Sequence, residues 1–209
     1  MAHIIGWAGD WEVSGAAVIS SKMIYVNFPV TPGQLVQVYG LDNIVYFPQS
    51  TAAGFDARSA RFLSFVGLPH SEVFTSREDV EDPYPAGLDA LTLGSRLDHY
   101  GMPCPGESRS WWMLGHLFTS LIALDPASGK VYAFPEGSSG YIPLHRDVES
   151  LVYALVEFRK LEIDHDNDVD PEELSARFRE TVGAFDSTPF ADDESQWNLS
   201  LEELEHGIW

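Results

Sequence analysis

The run "WWMLGHLFTSLIALDPASGKVYAF", residues 111–134, limits the fold more than any other stretch of the chain. Two apolar segments flank Asp125-Pro126-Ala127-Ser128-Gly129. In that interval Asp starts a turn, Pro presets φ at its second position, and Gly supplies positive φ at its end. The run therefore predicts an antiparallel hairpin. Shortly after it, "RDVESLVYALVEFRKLE" places Val148, Leu151, Val152, Leu155 and Phe158 at helical intervals behind Asp147 as N-cap. Its apolar stripe is expected to pack on the sheet.

Other helices announce themselves through their ends. Asp56 is a candidate N-cap for "DARSARFLSFVGLP", where Ala60, Leu63 and Val66 share a face and Gly67 and Pro69 mark the exit. A later helix begins at Asp170, with Pro171 at its first position, Glu173 as a capping-box partner, and Leu174, Phe178 and Val182 buried. The segment "ESQWNLSLEELEHGIW" predicts a last short helix with Trp197, Leu201 and Leu204 inward. Near the start, "AAVISS", "MIYVNFPV", "LVQVYG" and "NIVYFP" read as short strands. Residues 71–109 read mostly as loop, with a strand at "LDALTLG". No internal repeat appears. The sum is an α+β fold, a mixed or largely antiparallel central sheet flanked by helices. Residues 1–54 form a β-rich N-terminal extension, expected to join the domain formed by residues 55–209.

Charge narrows the function. The formal net charge is −20, and residues 161–209 hold fifteen acids against Arg177 and Arg179. Such a field disfavours phosphate backbones and anionic membranes and favours a basic partner. Neither nucleic acid nor a membrane is expected as a partner. The start, "MAHIIGWAGDWEV", has no basic segment and is interrupted by Asp10 and Glu12, while Cys104 is the single cysteine. A reducing, cytoplasmic location is the expectation.

The densest acid is "EIDHDNDVDPEEL", residues 162–174. A calcium loop starting at Asp164 would need Gly at its sixth position and Glu at its twelfth, but Val169 and Ser175 stand there. Asp170, Glu172 and Glu173 fit a helix N-terminus, which favours negative charge. Asp164, Asp166 and Asp168 have no such role; they are either a solvated linker or a surface for a cationic partner.

No catalytic constellation emerges. The seven histidines lack metal-ligand spacing, and neither "GESRS" nor "GSSG" makes the strand-to-helix elbow of a hydrolase nucleophile. There is no phosphate-cradling glycine motif. His116 reads as a core or edge histidine in a strand. Of Trp111 and Trp112, one ring is expected inward and one outward. No enzyme, cofactor or metal site is expected.

In order and spacing, "RFLSFVGLP" (61–69), "LIALDPASGKVYAF" (121–134), "DVESLVYALVEFRKL" (147–161) and "FDSTPFADDESQW…LEELEHGIW" (185–209) resemble the fourth class of the SUKH superfamily of bacterial immunity proteins. Members usually carry an Asn-Ser pair before the helix, where this chain has His145-Arg146-Asp147. The resemblance implies a central sheet with flanking helices, no catalysis, and neutralisation of a cognate secreted toxin domain, often a nuclease or nucleic-acid deaminase. It carries over no site residues. Because a nuclease must be basic where it grips phosphate, the acids Asp164, Asp166, Asp168, Asp170, Glu172 and Glu173, with Asp192, Asp193 and Glu194, are the candidate partner-binding residues. Two alternatives remain open: a regulatory interaction module of a cellular assembly, and a small-molecule-binding protein using the 96–116 loop with His99, Cys104 and Trp112.

Overall fold

The computed structural model describes residues 28–47, 54–76, 92–138 and 140–208. Its first element departs from the sequence reading. The run "LVQVYG", expected as a strand, lies mostly in helix α1 (Pro32–Tyr39). The cause is local: Thr31 and Gln34 form a reciprocal capping box and Pro32 sits at the first turn. Those end signals outweigh the strand preference of two valines and a tyrosine, and Leu35 turns fully inward. "NIVYFP" yields only the two-residue strand β1 (Ile44–Val45). "AAVISS" and the first five residues of "MIYVNFPV" lie outside the described residues.

Helix α2 (Ala57–Phe65) follows as predicted, with the Asp56 carboxylate accepting from the amides of Arg58 and Ser59. Beyond it Gly67 takes φ +84°, and any Cβ there would lie 2.7 Å from the Ile44 side chain. That close approach lets β2 (Leu68–Pro69) pair antiparallel with β1. Strand β3 (Phe74–Ser76) and helix α3 (Leu93–His99, capped by Thr92) occupy part of what reads as loop. At the end of "LDALTLG", Thr92 makes an isolated bridge to Trp112 and the chain then turns helical; residues 77–91 lie outside the described residues.

The central sheet is antiparallel with order β3-β4-β5-β6-β7, where β4 is Trp112–Leu117, β5 Ser120–Leu124, β6 Val131–Phe134 and β7 Ile142–His145. The Asp125 turn joins β5 and β6 as predicted: Asp125 Oδ1 accepts from Ala127 N at 2.9 Å, and Gly129 N, at φ +73°, donates to the Asp125 carbonyl at 2.9 Å. The apolar run before it is not one strand but two. It reverses at Phe118-Thr119, where Phe118 adopts φ +50°. No Gly or Asn marks that turn; the Phe118 ring, edge-on to Phe158 at 5.8 Å, anchors it instead.

Alternation along these strands builds two cores. Leu114, Ile122, Leu124, Val131 and Ala133 face one side and join a large cluster with α1, α2 and the C-terminal helices, while Met113, Ala123 and Phe134 face the other, under Leu93 and Leu97 of α3. Trp111 and Trp112 likewise point oppositely. The outward ring expected at one of them is not found: Trp111 joins the smaller cluster, and Trp112 packs edge-on to Phe55 at 5.1 Å. Covering the large face are α4 (Val148–His165), α5 (Pro171–Phe185) and α6 (Gln196–Glu205). Leu174, Phe178, Val182, Trp197, Leu201 and Leu204 are all buried, as their spacing predicts. Phe28, Val30, Leu35, Ile44 and Phe47 belong to the same cluster. No helix among the described residues is long and apolar enough to cross a membrane.

Candidate interaction surface

The acidic stretch forms the corner between α4 and α5. Asp166 caps the C-terminal end of α4, Asp168 reverses the chain at φ +62°, and Val169 packs against the core between them and the next helix. Asp170 then caps α5, its Oδ1 accepting from Glu172 N at 3.0 Å and Glu173 N at 3.2 Å. This is a simple aspartate cap; the Glu173 side chain supplies no return bond to the cap amide. Asp164 is held by Arg177, so one of the nine candidates is already paired within the chain. Asp166, Asp168, Asp170, Glu172 and Glu173 remain exposed.

The other candidates lie elsewhere. Helices α5 and α6 run antiparallel, as contacts of Arg179 with Asn198 and of Ser175 with Glu205 require. Asp192, Asp193 and Glu194 precede α6 and therefore sit near the C-terminal end of α5, about 22 Å of helix away from Asp170. There Asp192 Oδ1 accepts from Glu194 N at 2.9 Å and its carbonyl from Asn198 Nδ2 at 2.8 Å. In their place the fold brings the last turn of α6, with Glu202, Glu203 and Glu205, to the α4–α5 corner. The acidic end thus combines two segments that the sequence separates by some thirty residues.

Beside the corner lies a cavity of about 630 Å³ between α1, the β2–β3 connection and α4, lined by Tyr39, His70, Glu72, Thr75, Arg159 and Glu162. Tyr39 donates to the Leu155 carbonyl at 2.7 Å, and burial pushes its phenol well above the ordinary range. Burial also raises the Glu162 carboxyl, aided by the charges of Asp166 and Glu72 and opposed by Arg159, which donates to Glu162 Oε2 at 3.1 Å. This polar hollow was not legible in sequence, since it draws on three separated segments.

On the far face of the sheet a second groove, about 420 Å³, is lined mainly by Leu97, Tyr100, Met102, Pro103, His116 and Phe134. The trio His99, Cys104 and Trp112 is not assembled there. Trp112 belongs to the opposite face, His99 is exposed and stacks edge-on to Tyr100 at 5.3 Å, and half-buried Cys104 packs on the smaller core. Arg109, the cation nearest Cys104 in sequence, is paired with Asp98.

One polar cluster escaped the sequence reading altogether. His145 is fully buried; Trp197 Nε1 donates to its Nε2 at 3.0 Å, which leaves Nδ1 as the protonated nitrogen, 3.0 Å from Ser150 Oγ. Ser150 Oγ in turn donates to Asp186 Oδ2 at 2.6 Å, and Asp186 also accepts from Arg146 N at 2.9 Å and Thr188 N at 3.0 Å. Serine, histidine and aspartate side by side suggest nucleophilic chemistry, but the roles are inverted. The histidine lone pair is occupied by an indole N–H, and the serine hydroxyl, itself fully buried, donates to an aspartate held below the ordinary carboxylate range and therefore a weak base, so the hydroxyl is neither activated nor reachable. The cluster is a buried lock joining β7, α4, the α5 end and α6. Among the described residues no group of three or more His, Cys, Asp or Glu side chains is disposed to hold a metal ion.

Comparison with known proteins places this architecture. No curated protein and no solved structure matches the chain. A family model does, that of the SUKH-4 immunity protein, over residues 30–203. The match takes in α1 and the whole central sheet together with α4, α5 and most of α6. The chain therefore belongs to the SUKH-4 immunity protein family.

Proposed function

We propose that the protein binds and neutralises a cognate secreted toxin domain, a basic nuclease or nucleic-acid deaminase, in the cytoplasm and without chemistry of its own. The observation that carries this reading is the acidic end of the helical layer in a member of an immunity family: Asp166, Asp168, Asp170, Glu172 and Glu173 exposed together, with the last turn of α6 beside them. An inhibitor that covers a phosphate-gripping surface gains from opposite charge, because long-range attraction raises encounter rates from about 10⁵–10⁶ to as much as 10⁸–10⁹ M⁻¹s⁻¹ and disfavours wrong partners. Asp192, Asp193 and Glu194, at the other end of α5, belong to the same contact only if the partner spans the helix length. In the same reading residues 28–47 are part of one domain with residues 55–209, since their apolar side chains share its core.

The test is copurification of the chain with the basic toxin domain it protects against, at about 0.05 M and 0.5 M salt. Capture at low salt that weakens at high salt, with loss of toxin activity in the complex, supports the reading. Capture of a constitutive cytosolic assembly in place of a toxin contradicts it.

A further inference from the structure

Exposed carboxylates steer a partner but hold it weakly, because solvent and salt screen an exposed ion pair. Tight complexes concentrate their affinity in partly desolvated pockets. The 630 Å³ cavity beside the acidic corner offers such a place on its inner side, where Glu162 is partly buried, while Glu72 stands exposed at its rim. It faces the same side of α4 as the corner's first acids: Glu162 is one turn before Asp166 and senses its charge.

Its lining selects a ligand class. Two carboxylates, Glu72 and Glu162, stand against one guanidinium, Arg159. Arg159 already donates to Glu162 Oε2 at 3.1 Å, and among the described residues no hydrogen bond or ion pair is formed by Glu72 or by Glu162 Oε1. His70 Nδ1 lies 3.3 Å from the Ser76 carbonyl and 3.4 Å from the Ser76 hydroxyl, so that edge of the ring is occupied within the chain. Among the lining side chains Glu72, Glu162 and Arg159, negative charge therefore exceeds positive. An anion would meet two carboxylates and an arginine already engaged. A cation with several N–H groups relieves the repulsion between Glu72 and Glu162 and satisfies both. A planar guanidinium does so with fixed, forked geometry, which an ammonium lacks.

The geometry points to this cavity as the receptor for an arginine side chain of the partner, held between Glu72 and Glu162 beside Tyr39. The inference rests on the reading that the partner is a basic toxin, and it adds where the specific grip lies: the corner sets the association rate, the cavity the dissociation rate.

The direct test titrates Nα-acetyl-arginine amide into the full chain at millimolar concentration, following the methyl NMR signals of Val38 and Thr75, which line the cavity. Saturable shifts are expected. They should be at least tenfold weaker with the uncharged citrulline analogue and in the Glu72→Gln/Glu162→Gln double variant. Each single variant is made as well, so that Glu72→Gln, on an exposed turn, carries the test should Glu162→Gln perturb folding. No saturable shift, or equal shifts in the variants, overturns the proposal. With the toxin domain itself, the double variant should dissociate at least tenfold faster. Unchanged dissociation overturns the cavity's role while leaving immunity intact. A chain that binds the arginine amide but no toxin overturns the immunity reading and not the cavity.

Discussion

Replacing Asp186 by asparagine should cost the fold far more than its position after a helix end suggests. Asp186 is 5% exposed and receives Ser150 Oγ, Arg146 N and Thr188 N, with His145 Nδ1 3.6 Å away. Hydrogen bonds to a charged acceptor contribute roughly 1.5–3 kcal/mol each and neutral ones about 0.5–1.5, so neutralising the group weakens three bonds at once. The amide NH₂ must also face one of these donors, leaving it unsatisfied at a cost of about 1–3 kcal/mol. Partial relaxation offsets some of this, and about 3 kcal/mol of destabilisation at pH 7 is expected. For a chain of this length that is near 9 °C in Tm. The assay is urea denaturation monitored by fluorescence, with Trp197 in the network as a built-in probe. Asp193→Asn, an exposed control, should change stability by less than about 0.5 kcal/mol. An Asp186→Asn variant as stable as that control would refute the lock.

Further outcomes follow from the same geometry. Burial holds the His145 pKa below its ordinary 6.5, with Asp186 opposing; the unfolded chain therefore takes up a proton that the native chain refuses, and stability should fall as pH drops below 6.5. Burial raises Asp186, but the nearby His145 ring and the hydrogen bonds from Ser150, Arg146 and Thr188 prevail and lower it, so a second loss begins as pH falls below its ordinary 3.8. Denaturant midpoints measured from pH 7 to 3 check both, and a His145→Gln variant should flatten the first limb. In Gly115→Ala the new methyl would stand 2.3 Å from the Thr75 carbonyl oxygen, displacing β3 from β4; a loss of about 1–3 kcal/mol is expected by thermal melting. Thr31→Ala removes the cap of α1 and should cost about 1 kcal/mol, read as faster amide hydrogen exchange at Gln34 and Leu35.

Where the sequence was legible, the signals were local. Asp147, Asp170 and Asp56 cap helices that begin where they predict, and the Asp125 turn closes as its residues require. Where it was not, local preference was outvoted. The valines of α1 hid a capping box, and the Phe118 turn is stabilised by a ring contact forty residues away. The buried lock joins His145 to Asp186 and Trp197, partners that no spacing rule connects. The acids of the interaction surface could be counted in sequence, but their grouping could not. The antiparallel course of α5 and α6 removes Asp192, Asp193 and Glu194 from the corner and brings Glu205 to it.

The most direct test of the central claim is stopped-flow association of the chain with its toxin domain across salt concentration, for wild type and for a variant with Asp166→Asn, Asp168→Asn, Glu172→Gln and Glu173→Gln together. Screening shortens from roughly 30 Å at 0.01 M to 3 Å at 1 M. A wild-type association rate that falls at least tenfold over that range is expected, with a variant that associates more slowly at low salt and depends less steeply on salt, and dissociation rates similar for both. A wild-type rate indifferent to salt, or a variant that associates as fast as wild type at low salt, would contradict the claim.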